Sequence, residues 1–185
     1  MESESPEIEK KPNFTIRDTS APDVWAVQRI RSEAWLDTYP NEAAGISRES
    51  IAAITDKWFD FDVLEKQASR LSRIASDPNS ISKIAEDGDK PLGLALAERS
   101  AMGHQKLDAL YVLKEYHGTG IAQELMTQAL DWFDLSKPIS LEVVAYNDRA
   151  IAFYKKYGFE VQEGEDVAFV ASVPGIKMVR PGGLK

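Results

Sequence analysis

The chain has 185 residues, enough for one domain with a sizeable core and short for two. Its 22 basic and 30 acidic residues leave a net charge of −8, a field that disfavours non-specific nucleic-acid binding and favours cationic partners. The absence of cysteine excludes disulfides, thiolate metal sites and a cysteine nucleophile, and two histidines are too few for a histidine-rich metal centre.

Residues 1–12 are polar and acidic, end in Lys10-Lys11-Pro12 and carry no apolar period, which predicts a disordered leader ahead of a single domain over 13–185. The start lacks the charged-then-apolar order of a secretory signal, and no apolar run approaches the ~18 residues of a membrane span. The expectation is a soluble, cytoplasmic protein with neither membrane nor nucleic-acid partner. Phe14 and Ile16 alternate with Thr15 and Arg17 as in a short strand. Val24, Val27, Ile30 and Ala34 then recur at helical spacing as far as Tyr39-Pro40, where the proline discourages continuation. A loop over 36–46 follows. Ser47 with Ser50, then Ile51, Ile54 and Trp58, predicts a second helix, and Val63, Leu64, Ala68, Leu71 and Ile74 a third.

The period changes at Ser80. Asp87-Gly88 is a turn signal between strands over 81–86 and 92–98, and a second turn over 100–103 leads into a strand over 106–113, giving an antiparallel meander. A helix over 119–133 offers Ile121, Ala122, Leu125, Ala129 and Phe133 to a sheet, and Pro138 opens a strand over 139–145. Strand, helix and strand at this length form a βαβ crossover, hence a parallel pair. A short helix over 148–157 stops at Gly158, and strands over 159–170 and 176–180 close the chain. The predicted fold is mixed α/β: an antiparallel N-terminal meander, a central parallel βαβ unit and flanking helices.

In an open α/β sheet ligands bind beyond the carboxyl ends of the strands, and two chemically distinctive segments fall there. The first, from Leu110 to Ala122, runs from strand through a glycine turn into a helix. Gly118 and Gly120 let the backbone approach an anion, Thr119 can cap the helix, and the helix start can hold a pyrophosphate. It is not a dinucleotide fingerprint, because Gln123 stands where a third small residue belongs, and no Lys-Ser/Thr pair follows to make a nucleotide P-loop. The second segment, Asn147 to Phe159, joins a polar cap to a helical face of Ala150, Phe153, Tyr154 and Tyr157. Glu98, Asp108 and Glu142 lie on predicted strands as candidate bases, and each also reads as a solvated strand residue. Trp35, Tyr39, Trp58 and Phe59 suit an acceptor pocket or a core equally.

Together the two segments resemble the GNAT superfamily of N-acetyltransferases. That family's main signature, Gln/Arg-x-x-Gly-x-Gly/Ala after a strand, falls on residues 117–122, with Gly120 and Ala122 in place and His117 departing at the first position. Its second signature, Asn-x-x-Ala-x-x-Phe-Tyr-x-x-x-Gly-Phe, is matched by Asn147, Ala150, Phe153, Tyr154, Gly158 and Phe159. The resemblance implies acetyl-CoA in a cleft between two splayed parallel strands. It implies that the backbone of Leu110, Tyr111, Val112 and Leu113 pairs with the pantetheine arm. His117, Gly118, Thr119, Gly120, Ile121, Ala122 and Gln123 would hold the pyrophosphate, with His117 supplying less than the usual amide or guanidinium. Asn147 would contact the pantetheine region and Tyr154 would lie beside the thioester sulfur.

The chemistry fits those residue types. An amine of pKa about 10 must lose a proton to a carboxylate or through water before it attacks, and Glu98 or Asp108 is the candidate base. A strand N–H near Val112 can stabilise the oxyanion, and Tyr154 can protonate a departing thiolate of pKa about 8.5 as general acid. No metal is required. With an excess of acidic residues, a small cationic amine is the expected acceptor; a protein N-terminus or lysine is the enzymatic alternative, and a non-catalytic CoA-binding module the other. A homodimer is left open.

Overall fold

The structure is a computed structural model that describes residues 13–169 and 173–183. The leader expected over 1–12 and the strand end at Val170 lie outside the described residues. In chain order the elements are β1 (Thr15–Asp18), α1 (Val24–Thr38), α2 (Arg48–Thr55), α3 (Phe61–Ser76), β2 (Ser80–Asp87), β3 (Lys90–Arg99), β4 (Gln105–Val112), α4 (Ile121–Trp132), β5 (Ile139–Val144), α5 (Asp148–Lys155), β6 (Glu160–Ala168) and β7 (Pro174–Arg180). The strands form one sheet ordered β1-β2-β3-β4-β5-β7-β6, antiparallel throughout except for β4 beside β5. The expected mixed α/β architecture is present.

The helices start where local chemistry supports them. The Ser47 side chain accepts the Ser50 N–H at 3.1 Å to open α2, and the Asn147 side chain accepts the Ala150 N–H at 3.1 Å to open α5. Trp58, expected inside the second helix, instead sits in a 3-10 turn over Asp56–Phe59. The tighter turn brings its ring edge-on to Trp35, with centroids 4.6 Å apart, so a tertiary contact outweighs the helical period.

Two layers of helix cover the sheet. On one face α4 and α5 bury Leu107, Met126, Ala129, Ile139, Leu141, Tyr154 and Phe159 in a common cluster. On the other, α1 and α3 bury Val27, Ile30, Leu71, Leu94, Leu96 and Leu113. Phe159 is 1% exposed, and truncating it to alanine costs about 3–5 kcal/mol by the usual price of a large core cavity.

Two irregularities position the site. The β3–β4 register passes from Leu96↔Ala109 to Ala97↔Leu107, leaving Asp108 as the extra residue of a β-bulge. The parallel ladder joins only Gln105, Lys106 and Leu107 to Ile139, Ser140 and Leu141. Beyond it, β4 stays paired to β3 as far as Val112, and β5 to β7 as far as Val144. The two strands therefore continue apart, and a cleft opens between their carboxyl ends.

Candidate active site

The cleft has a volume of about 270 Å³. Its walls carry Leu110, Tyr111 and Val112 from β4, His117, Gly118, Ala122 and Gln123 from the turn and α4, and Asn147, Arg149 and Tyr154 from α5 and its cap. Asp37, Tyr39, Asp108, Glu142 and Phe169 line the remainder.

Backbone polarity along β4 fixes which peptide groups face the cleft. The Leu113 N–H donates to the Leu92 carbonyl of β3 at 2.9 Å, and strand alternation turns the N–H groups of Val112 and Leu110 to the opposite, unpaired edge. Leu113 is therefore a correction to the expected pantetheine contacts. Its N–H is committed to the sheet and its side chain is buried beneath α1 and α3. The Tyr111 backbone faces β3 for the same reason and is a second correction, leaving that residue only its side chain at the cleft, whereas Leu110 and Val112 remain able to pair with an extended amide chain.

The turn after β4 is shaped for an anion. Gly118 and Gly120 adopt φ of 81° and 100°, and a Cβ on either would meet nothing within 4 Å, so open space lies over both. Gly120 rather than Thr119 is the N-cap of α4, and it supplies no side-chain cap. The Thr119 hydroxyl donates instead to the Tyr116 carbonyl at 2.7 Å, which corrects its expected capping role. The first bond into the helix is from the Glu124 N–H to the Gly120 carbonyl at 3.0 Å. This leaves the N–H groups of Ile121, Ala122 and Gln123 open at the positive end of the helix dipole. The Ile121 side chain is fully buried, so only its backbone can serve a ligand.

His117 is held by two partners that settle its tautomer. Nε2 lies 3.0 Å from the Val112 carbonyl, which can only accept, so Nε2 carries the proton. Nδ1 is then bare and accepts from the Arg149 guanidinium. Burial, and then the adjacent Arg149 charge, lower the pKa of His117 below its ordinary 6.5. Arg149 is a site residue that the sequence reading passed over. It occupies an unconstrained position of the second signature, yet it brings a guanidinium to the place where His117 removes one.

Tyr154 is 7% exposed, and among the described residues its hydroxyl makes no hydrogen bond. Its ring packs edge-on against Phe153 and Phe159, so it belongs to the core while its edge reaches the cleft. Burial, with a smaller contribution from Tyr111, raises its pKa well above the usual phenol value and keeps it protonated. Asn147 uses Oδ1 to cap α5 and retains its amide hydrogens for a cleft ligand.

The candidate bases separate by position. Asp108, at the bulge, lines the cleft; its side chain is 23% exposed. Burial raises its pKa first and the Glu98 charge second, while Lys106 and Arg70 pull against the rise. Lys106 Nζ lies 3.7 Å from Asp108 Oδ1 and 3.3 Å from Glu142 Oε2, joining two cleft carboxylates. Glu98 does not line the cleft and opens onto a neighbouring depression, because β3 lies one strand farther from β5. Of the aromatic residues expected at an acceptor pocket, Tyr39 alone lines the cleft. Trp35 stacks behind it at 4.4 Å and donates Nε1–H to the Tyr111 hydroxyl, whereas Phe59 packs outward against Trp25. Tyr146 donates its hydroxyl to the Tyr39 carbonyl, tying α1 to the end of β5.

Comparison with known proteins agrees with this geometry. The model described as the acetyltransferase (GNAT) family matches residues 27–159. An uncharacterized N-acetyltransferase of Mycobacterium bovis is 34% identical over 98 residues, 51% of this chain and 62% of that protein, so the match spans less than two thirds of that relative. The peptidyl-lysine N-acetyltransferase YjaB of Escherichia coli is 30% identical over 79 residues, 43% of this chain and 48% of that protein. The crystal structure of PaiA N-acetyltransferase from Thermoplasma acidophilum in complex with coenzyme A aligns with a TM-score of 0.72 at 23% identity. The alignment covers 91% of this chain and 99% of that one, a likeness of fold.

Proposed function

This chain belongs to the GNAT acetyltransferase family, and from that premise we propose that it transfers acetyl from acetyl-CoA to the primary amine of a small acceptor by direct attack. The observation that carries the proposal is the Tyr154 hydroxyl, protonated and unpaired at the edge of a cleft that Asp108 and Glu142 also line. Acetyl-CoA supplies the acetyl group already activated as a thioester. Its pyrophosphate suits the open N–H groups of α4 and the Arg149 guanidinium, and its amide arm suits the free edge of Leu110 and Val112.

The acceptor enters as an ammonium ion, attracted by the carboxylates. Asp108, whose raised pKa improves it as a base, takes the proton directly or through water. The neutral nitrogen then forms its bond to the thioester carbonyl carbon, and a cleft-facing N–H of β4 not engaged by the amide arm stabilises the charge that develops on oxygen. As the carbon–sulfur bond breaks, Tyr154 donates its proton to sulfur. Burial raises the pKa of a thiol beside Tyr154 as it raises Tyr154 itself, because both anions lose hydration, so the transfer stays close to balanced.

A peptidyl lysine is the second reading, supported by the likeness to YjaB. The net charge of −8 and the carboxylates of the cleft support a small cationic head as the acceptor. An acceptor screen with acetyl-CoA, followed by free thiol release, tests the proposal. Release that depends on a small primary amine is expected; release only with peptides selects the second reading, and CoA binding without release for any amine selects a binding module.

A further inference from the structure

A second depression of about 410 Å³ lies beside the cleft, within the size range of ligand sites. Arg70, Arg73 and Ile74 of α3 and Asp77 at its end form one side, and Leu96, Glu98 and Asp108 of the sheet form the floor. Asp108 lines this depression and the cleft alike, so the two adjoin through the candidate base.

Two guanidiniums face this depression without a protein partner. Among the described residues neither Arg70 nor Arg73 forms an ion pair or a side-chain hydrogen bond, and they stand one helical turn apart facing the same depression. Arg70 is close enough to Asp108 to act on its charge. The same face carries a third guanidinium without a carboxylate partner, Arg31 of α1, which bonds Gln28 and lies over the Trp58 ring. The depression is lined by charge of both signs, the arginines together with Asp77, Glu98 and Asp108, which suits a ligand that itself carries both signs; a second ammonium finds no partner at the arginines. A guanidinium pair favours a carboxylate or phosphate, which it can bind by charge-assisted hydrogen bonds.

Resting on the acetyltransferase reading above, we propose that this depression holds the tail of the acceptor, and that the acceptor is a small zwitterion with an anionic group a few carbons from its primary amine. The ammonium lies at Asp108, in reach of the cleft. The carboxylate or phosphate lies between Arg70 and Arg73. The arginines thus set specificity for the tail, while the chemistry stays at Asp108 and Tyr154.

The test uses the full chain and sets of acceptors of equal length: an alkylamine, the α,ω-diamine, the ω-amino carboxylate and the aminoalkyl phosphate. The expected result is kcat/KM higher by about tenfold or more for one of the anionic acceptors than for the diamine, a difference on the scale of one charge-assisted hydrogen bond. In Arg70→Gln/Arg73→Gln the ratio of anionic acceptor to alkylamine should collapse towards one, and Arg70→Lys/Arg73→Lys should restore part of it. Whether carboxylate or phosphate is preferred identifies the tail. Preference for the diamine, or an anionic preference unchanged in Arg70→Gln/Arg73→Gln, overturns the proposal. If no amine is turned over, the acetylation reading fails separately, and calorimetry with the ω-amino carboxylate and the aminoalkyl phosphate decides the site: arginine-dependent binding sustains it, and its absence removes it.

Discussion

At the scale of single residues, the pairing of His117 with Arg149 changes how the glycine-turn end of the cleft is understood. From sequence, His117 is a substitution that lowers the positive character of the signature. In the fold it is a neutral positioning ring, donating to Val112 and accepting from Arg149, and the guanidinium comes from α5. Protonation would place a second N–H against a group that can only donate. His117 should therefore titrate below 6.5 in the folded protein, as followed by NMR of its ring protons. Arg149→Gln should move the value upwards in part, since burial, the larger cause, remains. A wild-type value at or above 6.5 contradicts the arrangement. The linkage has a definite sign: the unfolded chain binds this proton more readily, so stability falls as pH drops from about 6.5 through the folded-state pKa and is fully present above that window.

Elements decide where those residues stand, and here sequence legibility divides. The helices, the meander and the crossover were readable because apolar period and turn chemistry are local signals: Ile121, Leu125, Ala129 and Phe133 are buried as their spacing requires, while Ala122, offered to the sheet with them, is half-buried at the cleft. The bulge at Asp108 and the early end of the parallel ladder were not readable from residue pattern, because register depends on both partner strands. For the same reason Glu98 and Asp108 looked equivalent as bases in sequence, and only the strand order separates them. The splay itself was available through family resemblance alone. The N-cap of α4 likewise fell one residue later than expected, since Thr119 satisfies a carbonyl of its own turn. Gly120 at φ 100° makes a direct test of that cap. Gly120→Ala meets no neighbouring atom, so its cost is backbone strain of about 1–2 kcal/mol, seen as a melting temperature lower by about 2–8 °C in a chain of this size. An unchanged melting temperature would mean that the turn does not hold this conformation.

For the whole molecule, the proposed polyanionic co-substrate is set against a net charge of −8. The local field has to prevail over the global one: the open N–H groups of α4 and Arg149 lie at the cleft, while Lys114 is tied to Asp37 at 2.8 Å. Contacts within a few ångströms exceed repulsion spread over a surface and screened beyond about 8–10 Å, so CoA should bind more weakly as salt rises. Tighter binding at high salt, measured by calorimetry, would show that net repulsion dominates and that the turn is not the anion site. The central claim joins this binding site to chemistry at Tyr154, and single-turnover acetyl transfer by folded wild type and Tyr154→Phe tests it most directly. The substitution keeps the ring that packs on Phe153 and Phe159 and removes only the proton donor. The account predicts unchanged CoA affinity and a rate lower by about 10²-fold, the low end for general acid catalysis; a wild-type rate in Tyr154→Phe would contradict it.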